Sequence, residues 1–510
     1  VICGANHTVN IRPGRPYRSV SGIGAMPWVS TDRSPAAVGR WPVNTAAVNG
    51  RSGWGSIPTI RPRRRPDILI PMPSPAARSS TGVLVAALSL AALTVALLQT
   101  AVVPVLGVIA HQLGVSSVAV SWAVTANLLA AAAATPLIGR LADLHSKKRV
   151  LVAVLVVVAL GSLLAALTSS LPWLIVARVL QGVSFSLYPI CVAILRDELP
   201  EGRIVGALAV LSGTLGFGGG TGLVVTGLLM SGSAGYHRVF WLSLGFTLVV
   251  LAVVVRYVPA RPGSGTGTID WLGALGLAAG LTAVLLAITQ GNAWGWAAPR
   301  TIGCAVLGVG VLGWWWIWER GRAHPLVSTR MLARRAMLLT NLATIFVGMG
   351  LYFGFLGLTQ FVQMPRSVAG YGFSSSVLHA SVVFLLPGAL TGFVTATASG
   401  RFIDRFGARP VLVTGAVAGI AGFTALALWH SAPWQVIVAG VATNAYISLA
   451  YGALPALVVG EAGPGETGVA TGVNAIARTV GSSLAAAVVA VLLGHAGVPS
   501  ESAFVTIFAA

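Results

Sequence analysis

The chain has 510 residues, of which 55% are hydrophobic and only 9% are charged, and its formal net charge is +20. Soluble domains carry about 25% charged residues, so the composition excludes an ordinary soluble protein and predicts an all-α integral membrane protein. The net charge alone would suggest nucleic acid, but the cations are concentrated in the first 78 residues and in short loops, which argues against a nucleic-acid partner.

The first 78 residues form a basic extension that is rich in Arg, Pro, Gly and Ser. They show no sustained hydrophobic periodicity, so 1–78 is predicted to be disordered. Met72 opens a short basic leader directly before the first apolar run. We hypothesise that Met72 is the natural start and that 1–71 is upstream sequence, which N-terminal sequencing would test.

Apolar runs long enough to cross about 30 Å of hydrocarbon follow one another from there on. They predict thirteen membrane spans, at 83–110, 118–138, 150–168, 172–195, 204–230, 239–258, 271–290, 301–318, 337–361, 375–397, 410–428, 435–459 and 468–493. A further apolar segment, 502–510, would cover only about half of the membrane, and it is interpreted as a truncated last helix. We therefore expect about fourteen transmembrane helices.

The basic residues of the loops orient these spans. Loops on the side of the N-terminus hold Arg140, Lys147, Lys148, Arg149, Arg196, Arg203, Arg256, Arg261, Arg320, Arg322, Arg330, Arg334, Arg335, Arg401, Arg405 and Arg409. The opposite loops hold only Arg238, Arg300 and Arg366. Since Lys and Arg accumulate in cytoplasmic loops, we predict a multi-pass protein of the cell (inner or plasma) membrane with a cytoplasmic N-terminus.

Two loops on the basic side share a pattern. Residues 139–149 and 400–409 both read Gly-Arg-apolar-apolar-Asp followed by basic residues. Glycine permits a tight turn, the aspartate can cap or pair with a helix end, and the cations hold the loop at the anionic inner leaflet. If spans seven and eight are an insert, the two loops occupy equivalent places in two six-helix halves, which is typical of secondary transporters. The predicted gating-loop residues are Gly139, Asp143, Lys147, Lys148, Gly400, Asp404 and Arg405.

The first of these loops resembles the signature loop of the major facilitator superfamily. The fourth span carries Leu-Ile-Val-Ala-Arg-Val-Leu-Gln-Gly at 174–182, which resembles that family's Arg-x-x-Gln-Gly motif. About fourteen spans, together with Trp122, Pro136 and the Asn474-x-x-x-Arg478 pair, resemble its fourteen-spanner drug:proton antiporter branch.

The resemblance covers about residues 80–510 and implies a two-bundle fold. A six-helix bundle is expected at 79–258, two extra transmembrane helices with cytoplasmic linkers at 259–336, and a C-terminal bundle at 337–510. The substrate path is then expected between the two bundles. Gly216 and Gly220 in the fifth span are predicted to be close-packing positions between helices.

Few polar side chains interrupt the spans, and these are candidates for the substrate and coupling path. The candidates are Arg178, Gln99, Asn127, Arg478, His379, Asn341 and Gln360. The resemblance implies a place for Arg178 near a proton-relay or gating network, and the alternative is a structural anchor tied to backbone carbonyls. Gln99 and Asn127 are preferred as cavity-lining residues, and His379 is predicted to lie well inside span ten, where function or simple interior packing are both open.

Every acidic residue lies in the tail, in a loop or at a span edge. No phosphate-binding loop, metal-ligand cluster or nucleophile–base arrangement is present, so we predict neither an enzyme nor an ATP-driven pump, and no cofactor. The few fixed charges favour a lipophilic neutral or weakly anionic substrate over a dication.

The leading hypothesis is a secondary active transporter, driven by the proton gradient, that exports lipophilic or amphipathic small molecules. Since the spans lack acids, a uniporter or a dedicated metabolite or lipid transporter without proton coupling is the alternative. A non-transporting membrane sensor or scaffold is the alternative from another class. The expected partners are a small-molecule substrate and the lipid bilayer, and the chain is expected to be a monomer.

Overall fold

The computed structural model describes residues 81–230, 235–262, 268–322, 325–463, 466–493 and 499–509. The predictions of a disordered extension at 1–78 and of a start at Met72 therefore lie outside the described residues.

Within this part of the chain, thirteen helices are long and apolar enough to cross a membrane. In chain order they are α1 (Thr81–Leu113), α2 (Ala119–Leu144), α3 (Lys147–Leu167), α4 (Leu171–Glu198), α5 (Glu201–Leu229), α6 (His237–Tyr257), α7 (Trp271–Trp294), α8 (Pro299–Arg320), α9 (Arg335–Gln363), α10 (Ala380–Phe406), α11 (Ala408–Leu428), α12 (Pro433–Glu461) and α13 (Thr467–Leu493). A fourteenth helix, α14 (Glu501–Ala509), is short. The thirteen predicted spans and the all-α fold class are confirmed, and the described ranges contain no β-strand.

The helices begin and end where the sequence supplies caps. Ser116 accepts a hydrogen bond from the backbone N–H of Ala119 at the start of α2, and Asp270 accepts one from Gly273 at the start of α7. Proline opens α8 at Pro299 and α12 at Pro433, where its missing N–H has no helical partner to lose.

Four of the long helices are irregular, and one of them, α4, contains a 3₁₀ turn at Val183–Ser186. The α-helical course of α1 ends at Thr100, and a 3₁₀ turn at Val103–Val105 precedes its second segment. Single π-helical turns occupy Phe353–Gly357 in α9 and Ala380–Leu385 at the start of α10. Such turns shift the helical phase by one residue and recur at functional sites.

The helices form two halves that meet along two seams. The first half is α1–α6 and the second half is α9–α14. In the α2–α13 seam, α2 and α4 pack against α13, and in the α5–α10 seam, α5 packs against α10 and α12. Residues 75–510 form one compact unit, so the proposed limits between the bundles at 258 and 337 stay a prediction.

The two extra helices pack beside one seam. Helix α7 contacts both α2 and α13, and α8 packs outside it against α7. The Gln290 side chain donates to the Thr125 hydroxyl in α2 at 3.1 Å, and the Asn292 amide donates to the Ala487 carbonyl in α13 at 3.1 Å. The pair therefore bridges the two halves along the α2–α13 seam.

Candidate functional site

A cavity of about 120 Å³ lies between the two halves. Residues of α1 and α5 from the first half and of α9, α10, α12 and α13 from the second half line it. Arg478 of the lining is eleven residues into α13, which at 1.5 Å per residue is about 16 Å along the helix, near the middle of a bilayer. This position at the interface between the halves is where secondary transporters bind their substrates.

The cavity wall is mostly apolar, with a limited set of polar side chains. The polar lining consists of Gln99, Thr100, Tyr352, Thr443, Asn444, Tyr451 and Arg478. No carboxylate is among the residues that line it. An apolar wall with a few polar groups binds a small molecule largely by burial and orients it by a few hydrogen bonds.

Both π-helical turns contribute to this wall. Gly354 and Phe355 come from the turn in α9, and Leu385 ends the turn in α10. The turns therefore place a local change of helical phase at the cavity, as is frequent at functional sites.

Arg478 brings the one fixed charge of the cavity lining. Its guanidinium carbon lies 5.1 Å from the centroid of the Tyr451 ring and 5.6 Å from that of Tyr188. Tyr188 belongs to α4 of the first half and is itself tied to Ser212 by a 2.8 Å hydrogen bond between the hydroxyls. Arg478 thus contacts both halves through aromatic faces.

Arg178 is placed differently, inside the first half. It is 1% exposed and does not line the cavity. Its Nε donates to the Ala123 carbonyl at 3.1 Å, and its Nη1 donates to the Gln181 side chain at 2.6 Å and to the Leu98 carbonyl at 3.4 Å. These bonds join α1, α2 and α4, so Arg178 has the carbonyl contacts of a structural anchor. Its place in a proton-relay or gating network stays a prediction.

The two preferred cavity-lining residues separate. Gln99 lines the cavity. Asn127 does not: it is 3% exposed and donates to the backbone carbonyl of Arg178 at 2.9 Å, so it joins α2 to α4 within the first half. The prediction for Asn127 is wrong because its side chain points toward α4 and not toward the interface between the halves.

Three other candidates lie away from the cavity lining. Asn341 in α9 accepts from the Asn474 amide at 3.0 Å, which makes a helix–helix contact. Gln360 is exposed near the end of α9. His379 precedes the span that begins at Ala380, and its Nδ1 lies 3.1 Å from the Ser375 hydroxyl. The prediction that His379 lies well inside a span is wrong. His379 ends a short serine-capped helical turn, Val377–His379, which comes directly before the span.

The first gating loop meets the second half directly. Asp143 is fully buried at the end of α2, and its carboxylate accepts hydrogen bonds from the backbone N–H groups of Gly468 at 3.1 Å and Val469 at 3.0 Å. These N–H groups belong to the first turn of α13, which has no helical acceptor for them. The carboxylate therefore caps a helix of the other half and favours its positive end.

Glycines allow the halves to touch at the same level of both seams. A Cβ on Gly139 would lie 2.9 Å from the Gly468 carbonyl oxygen, and one on Gly400 would lie 2.9 Å from the Cα of Gly206. Gly139 and Gly400 begin the two related loops, so the repeat in the sequence corresponds to two equivalent backbone contacts between the halves.

The cations of the first loop hold that half together. The Lys147 ammonium lies 2.7 Å from the Asp197 carboxylate, and Lys148 donates to the Val255 carbonyl at 2.8 Å. Arg196, which was predicted only as one of the cations of the basic loops, donates to Thr467 and to the Ala462 carbonyl of the second half. The position of Arg196 at the end of span four gave no signal of this contact beyond its charge.

The second loop is not an equal copy of the first. Asp404 and Arg405 are both exposed, and the Arg405 guanidinium lies 5.3 Å from the centroid of its neighbour, the Phe406 ring. The interlocking aspartate is therefore confined to the α2–α13 seam.

The two predicted packing glycines also differ. A Cβ on Gly220 would overlap that of Ala389, so Gly220 does bring α5 close to α10. A Cβ on Gly216 would find its nearest neighbour, the Ser448 hydroxyl, at 3.9 Å, and Gly216 lines the cavity. The packing role predicted for Gly216 stays a prediction, because α12 lies only at ordinary van der Waals distance from it.

Comparison with known families agrees with this arrangement. The model of the Major Facilitator Superfamily matches residues 88–486, which include both halves and both seams. The chain belongs to the Major Facilitator Superfamily. The resemblance seen in the loops and in span four is confirmed, and the thirteen candidate spans of the described residues fit a multi-pass membrane protein.

Individual relatives within the superfamily are distant. An uncharacterised MFS-type transporter of Mycobacterium tuberculosis is 30% identical over 347 residues, which are 66% of this chain and 48% of that protein. The chain thus spans about half the length of that relative. The tetracenomycin C resistance and export protein of Streptomyces glaucescens is 29% identical over 423 residues, or 80% of this chain and 75% of that protein.

The fold also has a counterpart among solved structures. The crystal structure of the human organic anion transporter MFSD10 superposes with a TM-score of 0.59 over 84% of this chain and 97% of that chain, at 17% sequence identity. At that identity the likeness shows the shared two-bundle fold.

Proposed function

We propose that this transporter is a secondary active exporter of lipophilic or amphipathic small molecules, with the proton gradient as its energy source. The observation that carries the proposal is the mostly apolar cavity at mid-membrane, which residues of both halves line. A substrate held there touches both halves, so movement of one half against the other can change the side to which it is exposed.

The contacts of the two loops supply a gate for such a cycle. Asp143 with Gly468, and Gly400 with Gly206, hold the halves together on the side of the basic loops. Opening the cavity to that side requires these contacts to break, and closing it restores them. We propose that this is the cytoplasmic side, with the chain in the cell membrane and its N-terminus inside, acting as a monomer.

Export of a lipophilic substrate is supported by a relative as well as by the cavity. The Streptomyces glaucescens protein at 29% identity is by its name a resistance and export protein for tetracenomycin C. An apolar wall with few polar groups also tolerates substrates of different shapes, which fits a multidrug range.

Proton coupling rests on Asp143 in this proposal, since the cavity lining offers no carboxylate. Asp143 is fully buried and accepts two backbone hydrogen bonds across the α2–α13 seam. Protonation would remove its charge and weaken both bonds, because charged acceptors form the stronger hydrogen bonds. A proton could thereby loosen the gate.

The test uses everted vesicles from an efflux-deficient bacterial host that expresses the full chain. With a proton gradient imposed, we expect uptake of phenylnaphthylamine or ethidium above that of vesicles without the chain, and a protonophore should abolish it. If no compound in a broad panel moves, the export proposal fails and the sensor or scaffold remains.

A carrier of the same fold without proton coupling is the second candidate, and the absence of a carboxylate from the cavity lining favours it. The same vesicles distinguish the two. Equilibration of a single substrate that is unaffected by the protonophore would support this candidate over the proton-driven exporter.

A further inference from the structure

The guanidinium of Arg478 has an unusual environment for a charge at membrane depth. Its guanidinium lies over the rings of Tyr451 and Tyr188, and no oxygen of the described residues accepts a hydrogen bond from it. An arginine carries five N–H donors, and a buried cation normally finds hydrogen-bond acceptors or a carboxylate. The donors of Arg478 are therefore left for something in the cavity that it lines.

Arg178 is an arginine of the same protein whose guanidinium does have hydrogen-bond acceptors. It is 1% exposed and donates to the Ala123 and Leu98 carbonyls and to the Gln181 side chain. The fold can thus supply acceptors to an intramembrane guanidinium, and it does not do so for Arg478.

The charge of the cavity is uncompensated as well. None of the lining residues is acidic, so Arg478 gives the cavity a net positive charge. Two aromatic faces stabilise a cation in part, but they leave the donating edge of the guanidinium unpaired. Neutral polar groups nearby, the amides of Gln99 and Asn444 among them, can orient a ligand without cancelling that charge.

We propose that the substrate is an amphipathic organic anion, whose carboxylate or sulfonate binds Arg478 while its apolar body lies against the rest of the cavity wall. The planar guanidinium matches such a group with two parallel hydrogen bonds. This inference rests on the proposed transport function and names the substrate class for it.

The position of Arg478 also gives the anion a part in the transport cycle. Tyr188 comes from the first half, whereas Tyr451 and Arg478 itself come from the second. An anion bound to Arg478 therefore lies where the two halves meet. It neutralises the guanidinium charge, which would otherwise stay unpaired near the centre of the membrane.

The test compares two probes that share a ring system and differ in charge, anilinonaphthalene sulfonate and the neutral phenylnaphthylamine. Their affinities are measured by fluorescence on the purified full chain and on Arg478→Gln, Arg478→Lys and Arg238→Gln. Arg238 is exposed at the start of α6, remote from the cavity lining, and serves as the matched control.

We expect the wild type to bind the sulfonate more tightly than the neutral probe. Arg478→Gln should lose about tenfold or more in affinity for the sulfonate alone, which corresponds to one charge-assisted hydrogen-bonded contact. Arg478→Lys should lose less, and Arg238→Gln nothing. Unchanged binding of the neutral probe shows that the variants are folded; if Arg478→Gln does not fold, the selective loss in Arg478→Lys decides.

Equal affinity of wild type and both Arg478 variants for the sulfonate, or a wild-type preference for the neutral probe or for ethidium, would overturn the proposal. Everted vesicles separate this failure from that of the transport proposal. Gradient-driven movement of the neutral probe without any Arg478-dependent anion preference leaves export standing and removes the anion site. Arg478-dependent sulfonate binding without movement of any probe leaves the anion site standing and removes the export proposal.

Discussion

At the scale of single residues, the two loop aspartates differ most sharply. Asp143 is fully buried and accepts two backbone hydrogen bonds from the start of α13, whereas Asp404 in the related loop is exposed. The two aspartates occupy equivalent positions of the repeat, but only Asp143 joins the two halves, and Asp404 is accessible to solvent.

Asp143→Asn is expected to weaken the α2–α13 seam. The amide keeps one acceptor oxygen but loses the charge that favours the helix N-terminus, and the expected loss of stability is about 1–3 kcal/mol. The unfolding temperature in detergent and the rate of uptake in everted vesicles should both decrease. Asp404→Asn is the matched control, expected to change stability by no more than about 0.5 kcal/mol; equal effects of the two variants would show that the carboxylate of Asp143 does not hold the seam.

Which face of a span a polar residue occupies could not be predicted. Gln99 and Asn127 both interrupt long apolar runs, yet only Gln99 lines the cavity, and Asn127 bonds to α4. A helix that is apolar all round carries no stripe from which its rotation can be read. The existence of the spans needs only their length and hydrophobicity, which is why all thirteen could be predicted and the cavity lining could not.

At the scale of helices, small residues set the distance across the α5–α10 seam. A Cβ on Gly220 would overlap that of Ala389, whereas one on the adjacent Gly219 would meet nothing closer than the Thr100 Cγ2 at 3.8 Å. The two glycines are neighbours in sequence on one helix, so the close approach to α10 belongs to only one face of α5.

Gly220→Ala should push α5 away from α10. Overpacking of this kind costs about 1–3 kcal/mol, so a lower unfolding temperature and reduced transport are expected. Gly219→Ala has the same change in helix propensity without the overlap, so its unfolding temperature should remain near that of the wild type. A larger loss in Gly219→Ala than in Gly220→Ala would contradict the packing described for this seam.

The glycine-rich run at 213–222 predicted close packing without its partners. Gly220 behaves as predicted, but Gly216 lies only at ordinary contact distance from Ser448 and lines the cavity, because the run winds around the whole helix. Likewise, the contact between Arg478 and Tyr188 joins residues far apart in sequence, and no local pattern pairs them.

At the scale of the whole molecule, the repeat requires both related loops to lie on one side of the membrane. The equivalent contacts of Gly139 and Gly400, each made with the other half, follow from that symmetry. The excess of Lys and Arg in the same loops predicts that this side is cytoplasmic.

Single cysteines at the exposed positions His145 and Arg405 should therefore react with a membrane-impermeant maleimide only in everted vesicles. A cysteine at Arg366, in an opposite loop, should react only in right-side-out cells. The native Cys191 is buried, and replacing Cys3 and Cys304 by serine lowers the background. Labelling of His145→Cys and Arg405→Cys from opposite sides would contradict the two-half arrangement.

The bridge that α7 makes from Thr125 to Ala487 spans one seam and leaves the other without a counterpart among the described helices. Two bodies that are linked along one edge rotate relative to each other about that edge, which acts as the hinge axis. The helices at the α5–α10 edge, where Gly220 meets Ala389, then undergo the larger displacement. A lipophilic substrate that arrives from the bilayer would enter laterally at this edge.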